Sequence, residues 1–400
     1  MLLLSALAGC GSGPEAAPLD PGTYVQDPRW WTERSALPLT GPGQVRVVGE
    51  IAVIEGDALI VSGSTGALGL RFDDERNDVA AIVRRYAEQV ADPPAVLVLF
   101  TSFNDLGGGG PAYAIPIQNR TPGLGFGPID QRSVFGAEGL RSVANMKRPE
   151  DHEALVPLLA HEIAHVDLAH LDLVPGTTTA TAVLLGRQRA HWAASLHTEG
   201  SVLEGYGYAE IAPGSFVVNA KRSRFSELDL YGLGLLSPGE VRPFFRIEDA
   251  QVASGARLPI AAELSIGDRV FGRRLDIDIA EVVRVMGPRP ARESREIWAL
   301  FALVTAPGER WDDPGLGDKI AAVDQARQAI EVAWPVLTRG KGTLRTTLPE
   351  RADAGVEPAD AGGAPPPPDS GCGCQSAGER AGLSWVFALL ILGAGRSRAR

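Results

Sequence analysis

The sequence predicts an α+β fold in which a mixed sheet carries a helix with two closely spaced histidines. Two kinds of pattern support this prediction. Continuous apolar runs such as Ala95–Phe100 are typical of strands buried on both faces. Amphipathic stretches such as Asn77–Val90 and Asp318–Trp334 are typical of helices that pack against a core. Residues 240–345 alternate between the two patterns.

Length and charge limit the size of the folded region and the class of its partners. The chain has 400 residues and a net charge of −11, and both of its ends have the composition of sorting or linker sequence. About 300 residues remain for one large core or two tightly joined lobes. Because no broad basic stripe is available to neutralise phosphates, we do not expect nucleic acid as a partner.

The three cysteines, Cys10, Cys372 and Cys374, all lie outside the predicted folded region. That region therefore has no disulfide and no thiol nucleophile, which excludes a cysteine-protease site and a zinc site with cysteine ligands. Its stability must come from packing, with a bound metal ion as a further source.

The N-terminus has features of an export signal. Leu7-Ala8-Gly9-Cys10 resembles the lipobox of bacterial lipoproteins, whose cysteine is lipidated after the signal is cleaved. The preceding apolar run is short and contains no lysine or arginine, so we expect residues 1–10 to be a truncated signal whose true start lies upstream. Residues 11–44 are rich in glycine, proline and alanine and are predicted to form a linker.

The predicted globular region, residues 45–348, begins with strands and one helix. Val45–Ile54 and Ala58–Ser62 are predicted strands with turn residues between them. The predicted helix Asn77–Val90 follows, with its apolar residues facing inward, and the buried strand Ala95–Phe100 comes next.

The segment His161-Glu162-Ile163-Ala164-His165 is the strongest chemical signal in the sequence. On a helix, His161 and His165 lie one turn apart on the same face, where two neutral imidazoles can hold one Zn²⁺. Glu162 stands where a general base takes a proton from zinc-bound water. The apolar spacing predicts a helix from about Glu150 or Pro157 to Leu173. The alternative is an ordinary amphipathic helix with two incidental histidines, and the zinc site is the better-supported interpretation.

A strand-like run that contains a proline, Ala112–Asn119, precedes this helix. Proline within a strand favours an edge position, because it cannot donate a hydrogen bond to a neighbouring strand. An edge strand beside the metal is where zinc peptidases commonly hold an extended substrate by β-augmentation. Chain order alone suggests that Ala112–Asn119 has this place.

A catalytic zinc ion needs a third protein ligand and one open coordination position. Four residues compete for this role: His170, His191, His197 and Glu199. If the helix continues, His170 points roughly 140° away from His165, so it is better explained as a helix C-terminal or surface histidine. His191 follows His165 by 26 residues, a workable distance for a returning element, although it could equally be a structural histidine. Glu199 as a ligand would make the site thermolysin-like.

Residues 240–345 contain no recognisable catalytic constellation. Arg273–Asp278 and Ile297–Thr305 are predicted strands or apolar core segments, and Asp318–Trp334 is a predicted amphipathic helix. We therefore expect this part of the chain to contribute packing.

The C-terminal part consists of a linker and an apolar segment. Residues 349–371 are rich in proline, alanine and aspartate, a composition that cannot bury a core. Within residues 372–400, the apolar run Ala381–Gly395 is shorter than the ~20 residues that span a bilayer as a helix. Three arginines follow this run, as in a positive-inside membrane anchor.

Two resemblances add to this reading. Cys374, the short hydrophobic segment and the arginine-rich end resemble the C-terminal sorting tag of myxobacterial cell-surface proteins. Residues 45–348 resemble a family of secreted zinc metalloproteases from the same kind of bacteria. The shared stretches are the histidine motif, Leu185–Trp192, Phe225–Tyr231, Ile277–Arg289 and Thr338–Leu344. Two departures stand out: Leu233 precedes Gly234 where the family commonly has Met-Gly, and His197 stands where an acidic residue is common.

The resemblance implies a zincin-like domain with peptidase activity, without naming a substrate. Because His191 lies in a shared block, it is favoured as the third zinc ligand over the other candidates. By analogy with other zincins, Tyr206, Tyr208 and Tyr231 are candidates for stabilising the oxyanion, although a core or rim packing role is the favoured interpretation for each.

The expected function is that of a zinc-dependent endopeptidase acting on proteins or peptides, with Glu162 as general base. We expect the protein to be exported and held at the bacterial outer membrane or cell surface through Cys10, the C-terminal tag, or both. Two alternatives stay open: a catalytically degenerate binding protein, and a zinc hydrolase of a non-peptide amide. The sequence leaves the oligomeric state and the substrate specificity open.

Overall fold

The computed structural model describes residues 45–349, apart from gaps at 56–59, 62–63, 66–70, 73–75, 78, 91–92, 94, 104–110, 126, 152–153, 174–183, 307 and 311–312. The predicted signal, the first linker, the C-terminal tag and all of the second linker except Pro349 lie outside the described residues. No helix among the described residues is long and apolar enough to cross a membrane.

The described residues form both β-strands and α-helices. The strands are, in chain order, β1 Val45–Val48, β2 Ile51–Ile54, β3 Ile60–Val61, β4 Ser64–Thr65, β5 Arg71–Phe72, β6 Arg76–Asn77, β7 Val96–Thr101, β8 Tyr113–Pro116, β9 Gln118–Asn119, β10 Ile129–Asp130, β11 Ser142–Lys147, β12 Tyr206–Ala212, β13 Ser215–Lys221, β14 Phe244–Val252, β15 Arg269–Ile277, β16 Glu296–Val304 and β17 Thr343–Arg345. The α-helices are α1 Val79–Gln89, α2 Arg132–Phe135, α3 Leu155–Ala164, α4 Glu227–Gly232, α5 Ile279–Met286 and α6 Leu316–Leu337.

A seven-stranded mixed sheet forms the centre of the described chain. Its strand order is β1-β2-β16-β7-β11-β8, and β17 pairs with β16 beside this path. The inner strands β2, β16, β7 and β11 run parallel to one another, whereas β1 and β8 are antiparallel to their neighbours. This architecture is compatible with the predicted α+β class.

The two faces of the sheet are covered by different helices. On one face, α1 packs with Ile82, Val83 and Tyr86 buried, so the predicted helix Asn77–Val90 is confirmed with slightly shorter bounds. On the other face, α3 and α6 pack together over apolar residues of β7 and β16. Each fully buried leucine-sized side chain contributes about 1.5–3 kcal/mol, so the core holds both helix layers on the sheet.

Four further predicted segments are confirmed and one is corrected. Strand β7 is buried along its whole length, β15 and β16 occupy the predicted strand segments, and α6 contains the predicted helix. The run Val45–Ile54, however, forms two strands and not one. Gly49 has a left-handed φ of 58° and turns the chain, so Val48 pairs with Ile51 in a hairpin.

The proline-containing strand lies at the edge of the sheet, as predicted. Among the described strands, β8 pairs only with β11, and Pro116 lies opposite Ser142 at the end of this pairing. Helix α3 contacts both β11 and β8. The helix that carries the histidine motif therefore packs next to an edge strand.

A second, antiparallel sheet contains β12, β13, β15 and β14 in that order. Its small core includes Tyr206, Tyr208, Phe216 and Phe245. The segment that contains His191 leads into this sheet, and the nearby backbone amide of His197 donates to the carbonyl of Phe245 over 2.9 Å. This sheet thus supports the part of the chain that returns to α3.

The predicted C-terminal end of the motif helix is wrong. Helix α3 ends at Ala164, with His165 as its cap, and does not continue to Leu173. Two interactions redirect the chain after His165. The carbonyl of Leu168 receives a hydrogen bond from His165 Nδ1 over 2.7 Å, and the buried Asp167 binds the guanidinium groups of Arg141 and Arg292.

Candidate metal centre

The fold brings His161, His165 and His191 together. The Nε2 atom of His161 lies 3.0 Å from that of His191 and 3.1 Å from that of His165. One ligand atom from each of the three side chains lies within 4.8 Å of the other two. His161 and His191 are buried and His165 is half-buried, so the cluster holds three largely desolvated imidazoles.

The backbone determines which nitrogen of each ring faces the centre. Nδ1 of His161 donates to the carbonyl of Val202 over 2.7 Å, and Nδ1 of His191 donates to the carbonyl of Arg187 over 2.9 Å. His165 makes the equivalent bond to Leu168. Carbonyl oxygens only accept hydrogen bonds, so these contacts assign the proton to Nδ1 and leave the Nε2 lone pairs directed at one another.

This donor set fits a zinc ion. Burial lowers the pKa of all three imidazoles, and neighbouring histidines lower it further for His161 and His191. The rings are therefore neutral at pH 7, as zinc ligation requires. Three nitrogens bound at ~2.0–2.1 Å in a tetrahedral site are separated by roughly 3.3 Å, and the distances from His161 Nε2 to the other two Nε2 atoms, 3.0 and 3.1 Å, are close to this value. Three neutral histidines are also a known ligand set of catalytic zinc.

Glu162 lies at the edge of the cluster. Its Oε1 is 4.0 Å from His161 Nε2, and the side chain is buried. Burial raises the pKa of Glu162 to about 8, with a lowering contribution from Arg187 and a raising one from Glu204. The carboxyl group is thus held beside the imidazole nitrogens in a desolvated position.

His191 is held in place by a strained turn and by packing contacts. Gln188 and Arg189 both have left-handed φ angles, 56° and 52°, so the chain makes a tight turn before His191. A bridge between Leu185 and Trp192 closes this turn. The indole of Trp192 donates to the buried carboxylate of Asp229 over 2.7 Å. Two of the blocks that carry the family resemblance, Leu185–Trp192 and Phe225–Tyr231, therefore contact each other directly.

The rival third ligands lie in other environments. His197 stacks on Phe245 with ring centroids 4.5 Å apart, and its Nδ1 accepts from the amide of Tyr208. Glu199 pairs with Arg242 and Arg339. Neither belongs to the group of potential metal ligands found among the described residues.

His170 also lies outside that group. It is close enough to His165 for the charge of His165 to lower the pKa of His170. It follows the end of α3 by six residues and is half-buried. The expectation of a helix C-terminal histidine is therefore wrong, because the helix ends at Ala164, whereas the partial exposure of His170 is compatible with the alternative of a surface histidine.

The three candidate tyrosines use their hydroxyl groups elsewhere. Tyr206 donates to the carbonyl of Ala262 and accepts from the amide of Leu264. Tyr208 donates to the carbonyl of Ala194, and Tyr231 accepts from the amide of Arg289. All three are buried, so their contacts support packing roles.

Arg187 and Glu204 also belong to the site, although no sequence pattern identifies them. Nη2 of Arg187 lies 3.2 Å from His191 Nε2 and 2.5 Å from Glu204 Oε1. Both residues lie in segments next to candidate ligands, but neither has a diagnostic spacing from the histidine motif. Only the folded arrangement identifies them.

Comparisons with protein families, curated proteins and solved structures find no match to this chain.

Proposed function

We propose that this protein is a zinc-dependent peptidase with a zincin-like catalytic domain. The observation that carries the proposal is the convergence of three Nε2 lone pairs from His161, His165 and His191, with the carboxyl group of Glu162 beside them. A site with only a structural role has no need of such a carboxyl group. Its presence favours a hydrolase over a catalytically degenerate binding protein.

The residues have distinct roles in this proposal. His161, His165 and His191 hold the ion, which when bound polarises a substrate carbonyl and acidifies a coordinated water molecule. Burial raises the pKa of Glu162, but a cation on the adjacent histidines lowers it again and favours the carboxylate. In that form Glu162 accepts a proton from the attacking water and transfers it to the leaving amine. The carbonyls of Val202, Leu168 and Arg187 hold the three rings in the binding orientation.

The edge strand supports a peptide as substrate. β8 has one side paired with β11, and α3 contacts both strands. An extended peptide can add to such an edge through backbone hydrogen bonds, which places its scissile bond along the helix that carries the histidines. This arrangement favours peptide hydrolysis over hydrolysis of an unrelated amide.

The proposed location is the bacterial outer membrane or cell surface. It rests on the lipobox-like Cys10 and on the C-terminal segment that resembles a sorting tag. Membrane contact is proposed only through these terminal anchors.

The test compares the purified full chain with its Glu162→Gln and Glu199→Gln variants. Zinc content is measured first, and cleavage of a labelled unfolded protein is measured with and without a chelator. We expect stoichiometric zinc in all three proteins, and chelator-sensitive cleavage in the wild type and in Glu199→Gln only. Glu199 is the matched control because it is a half-buried glutamate paired with arginines away from the cluster. A wild-type chain without zinc, or cleavage retained in Glu162→Gln, would contradict the proposal.

A further inference from the structure

Arg187 places a guanidinium group against the proposed zinc ligands. Its Nη2 lies 3.2 Å from Nε2 of His191 and donates a hydrogen bond to it. The side chain is 48% exposed, so a substrate can reach it from solvent. No role has so far been assigned to this cation.

Glu204 holds the guanidinium group in place. Nη2 of Arg187 lies 2.5 Å from one carboxylate oxygen of Glu204, and Nε lies 3.3 Å from the other. This two-point contact orients the planar group and leaves Nη1 without a hydrogen bond to any described residue. Arg187 therefore has a defined position and unused donors.

Metal binding changes which acceptor can receive a hydrogen bond from Nη2 of Arg187. The Nε2 lone pair of His191 cannot bind a cation and accept a hydrogen bond at the same time. When the cation binds, the N–H of Arg187 that now points at His191 becomes available to another acceptor. Because Glu204 still holds the guanidinium group, this donor remains beside the ion.

The other candidate donors are engaged elsewhere. Tyr206 and Tyr208 donate their hydroxyl protons to backbone carbonyls, and the hydroxyl group of Tyr231 is buried against the backbone amide of Arg289. Arg189 is paired with Asp172. Among the described residues, Arg187 is thus the best-placed donor for negative charge that develops next to the histidines.

We propose that Arg187 is a further catalytic residue that donates a hydrogen bond to the carbonyl oxygen of the scissile bond. This inference rests on the zinc hydrolase function proposed above. A charged donor at this position stabilises the negative charge that the oxygen gains when water attacks the carbonyl carbon. Donors of this kind act mainly in the transition state, so they affect kcat more than KM.

The test uses Arg187→Gln and the matched control Arg222→Gln in the full chain. Arg222 is also half-exposed and also lies near Glu204, at 3.8 Å, but its main partner is Glu263. The probe is acetohydroxamate, an oxygen-donor zinc ligand without a side chain, so its binding does not depend on substrate specificity. Zinc content, the Kd for acetohydroxamate, kcat and KM are measured for each protein.

For Arg187→Gln, we expect stoichiometric zinc, a Kd for acetohydroxamate raised about tenfold to a hundredfold, and a kcat lowered about 10²–10³-fold with little change in KM. Arg222→Gln should stay within about threefold of the wild type, as for an exposed ion pair. If Arg187→Gln has the same Kd and kcat as Arg222→Gln, the inference is overturned while the proposed function stands. Loss of zinc in Arg187→Gln has the same consequence. Failure of the wild type to bind zinc overturns the proposed function and the inference together.

Discussion

At the scale of single residues, the hydrogen bonds of the histidines decide what the cluster can bind. Each Nδ1 faces a backbone carbonyl, so each Nε2 presents a lone pair to the same small volume. In His197, by contrast, Nδ1 accepts a hydrogen bond from an amide and the ring stacks on Phe245. The residue type is the same, but only the first arrangement produces a convergent ligand set.

We predict that His191→Ala loses zinc. Removing a hydrogen-bond partner behind a ligand lowers metal affinity about 10–100-fold, and removing the ligand itself should cost more. The measurement is the zinc content of the purified chain after dialysis, followed by a zinc Kd from competition with a chelator. His197→Ala is the control and should retain zinc like the wild type. Stoichiometric zinc of unchanged affinity in His191→Ala would show that this residue is not a ligand.

At the scale of secondary-structure elements, a buried charge cluster fixes the end of α3. Asp167 is fully buried and pairs with Arg141 at 2.6 Å, Arg292 at 2.5 Å and Arg289 at 3.6 Å. Arg141 directly precedes β11, and Arg289 and Arg292 lie in the segment after α5. The cluster therefore holds the turn that ends α3, and with it the Leu168 carbonyl that orients His165.

We expect Asp167→Asn to lower the free energy of unfolding by about 3–5 kcal/mol, because it leaves the buried guanidinium group of Arg289 and the partly buried groups of Arg141 and Arg292 without their carboxylate. Equilibrium denaturation in urea, monitored by tryptophan fluorescence, gives this value. The control is Glu138→Gln, which breaks an ion pair with Arg132 in which the glutamate is 78% exposed. An exposed pair of this kind contributes about 0–1 kcal/mol. Equal effects of the two substitutions would show that the cluster does not stabilise the turn.

Glu309 joins the ends of two central strands to the long helix α6. It accepts hydrogen bonds from Ser102 Oγ, from the amide of Ala306 at 3.1 Å and from Lys319 Nζ at 2.7 Å. Burial raises its pKa, but these donors outweigh burial and hold the pKa below its ordinary value of 4.5. The carboxylate therefore favours the folded state above pH 4.5, and this contribution is lost as the pH falls through the lowered pKa.

From this shift we predict the pH dependence of Glu309→Gln. The wild type should exceed the variant in unfolding free energy at pH 6 and lose this advantage progressively below pH 4.5. Urea denaturation across this range measures the difference, with Glu138→Gln again as the exposed control. A difference that stays constant from pH 6 to pH 3 would contradict the assigned role.

Sequence patterns predict the elements of this protein better than their ends. Alternation and apolar runs identify α1, β7 and α6 because each makes a complete buried face. The end of α3 could not be predicted, since Asp167 finds its arginine partners only after distant segments have folded together. Similarly, a histidine motif predicts two ligands through helix geometry, whereas the approach of His191 and Arg187 depends on a strained turn that no spacing rule describes.

At the scale of the whole molecule, the site joins two parts of the described fold. His161 and His165 come from a helix on the central sheet, and His191 comes from the segment that leads into the antiparallel sheet. Between them, Trp192 and Asp229 connect this segment to α4. A bound ion would therefore cross-link elements that the chain brings together from distant positions, beside an edge strand suited to an extended peptide.

Zinc K-edge X-ray absorption of the purified, active chain tests this account most directly, because it reports the atoms around the ion. The account predicts zinc bound by three imidazole nitrogens at ~2.0–2.1 Å with a further oxygen ligand. It also predicts that one imidazole contribution disappears in any residual zinc bound by His191→Ala. A spectrum with fewer than three imidazoles in the wild type, or the absence of bound zinc, would contradict the central claim.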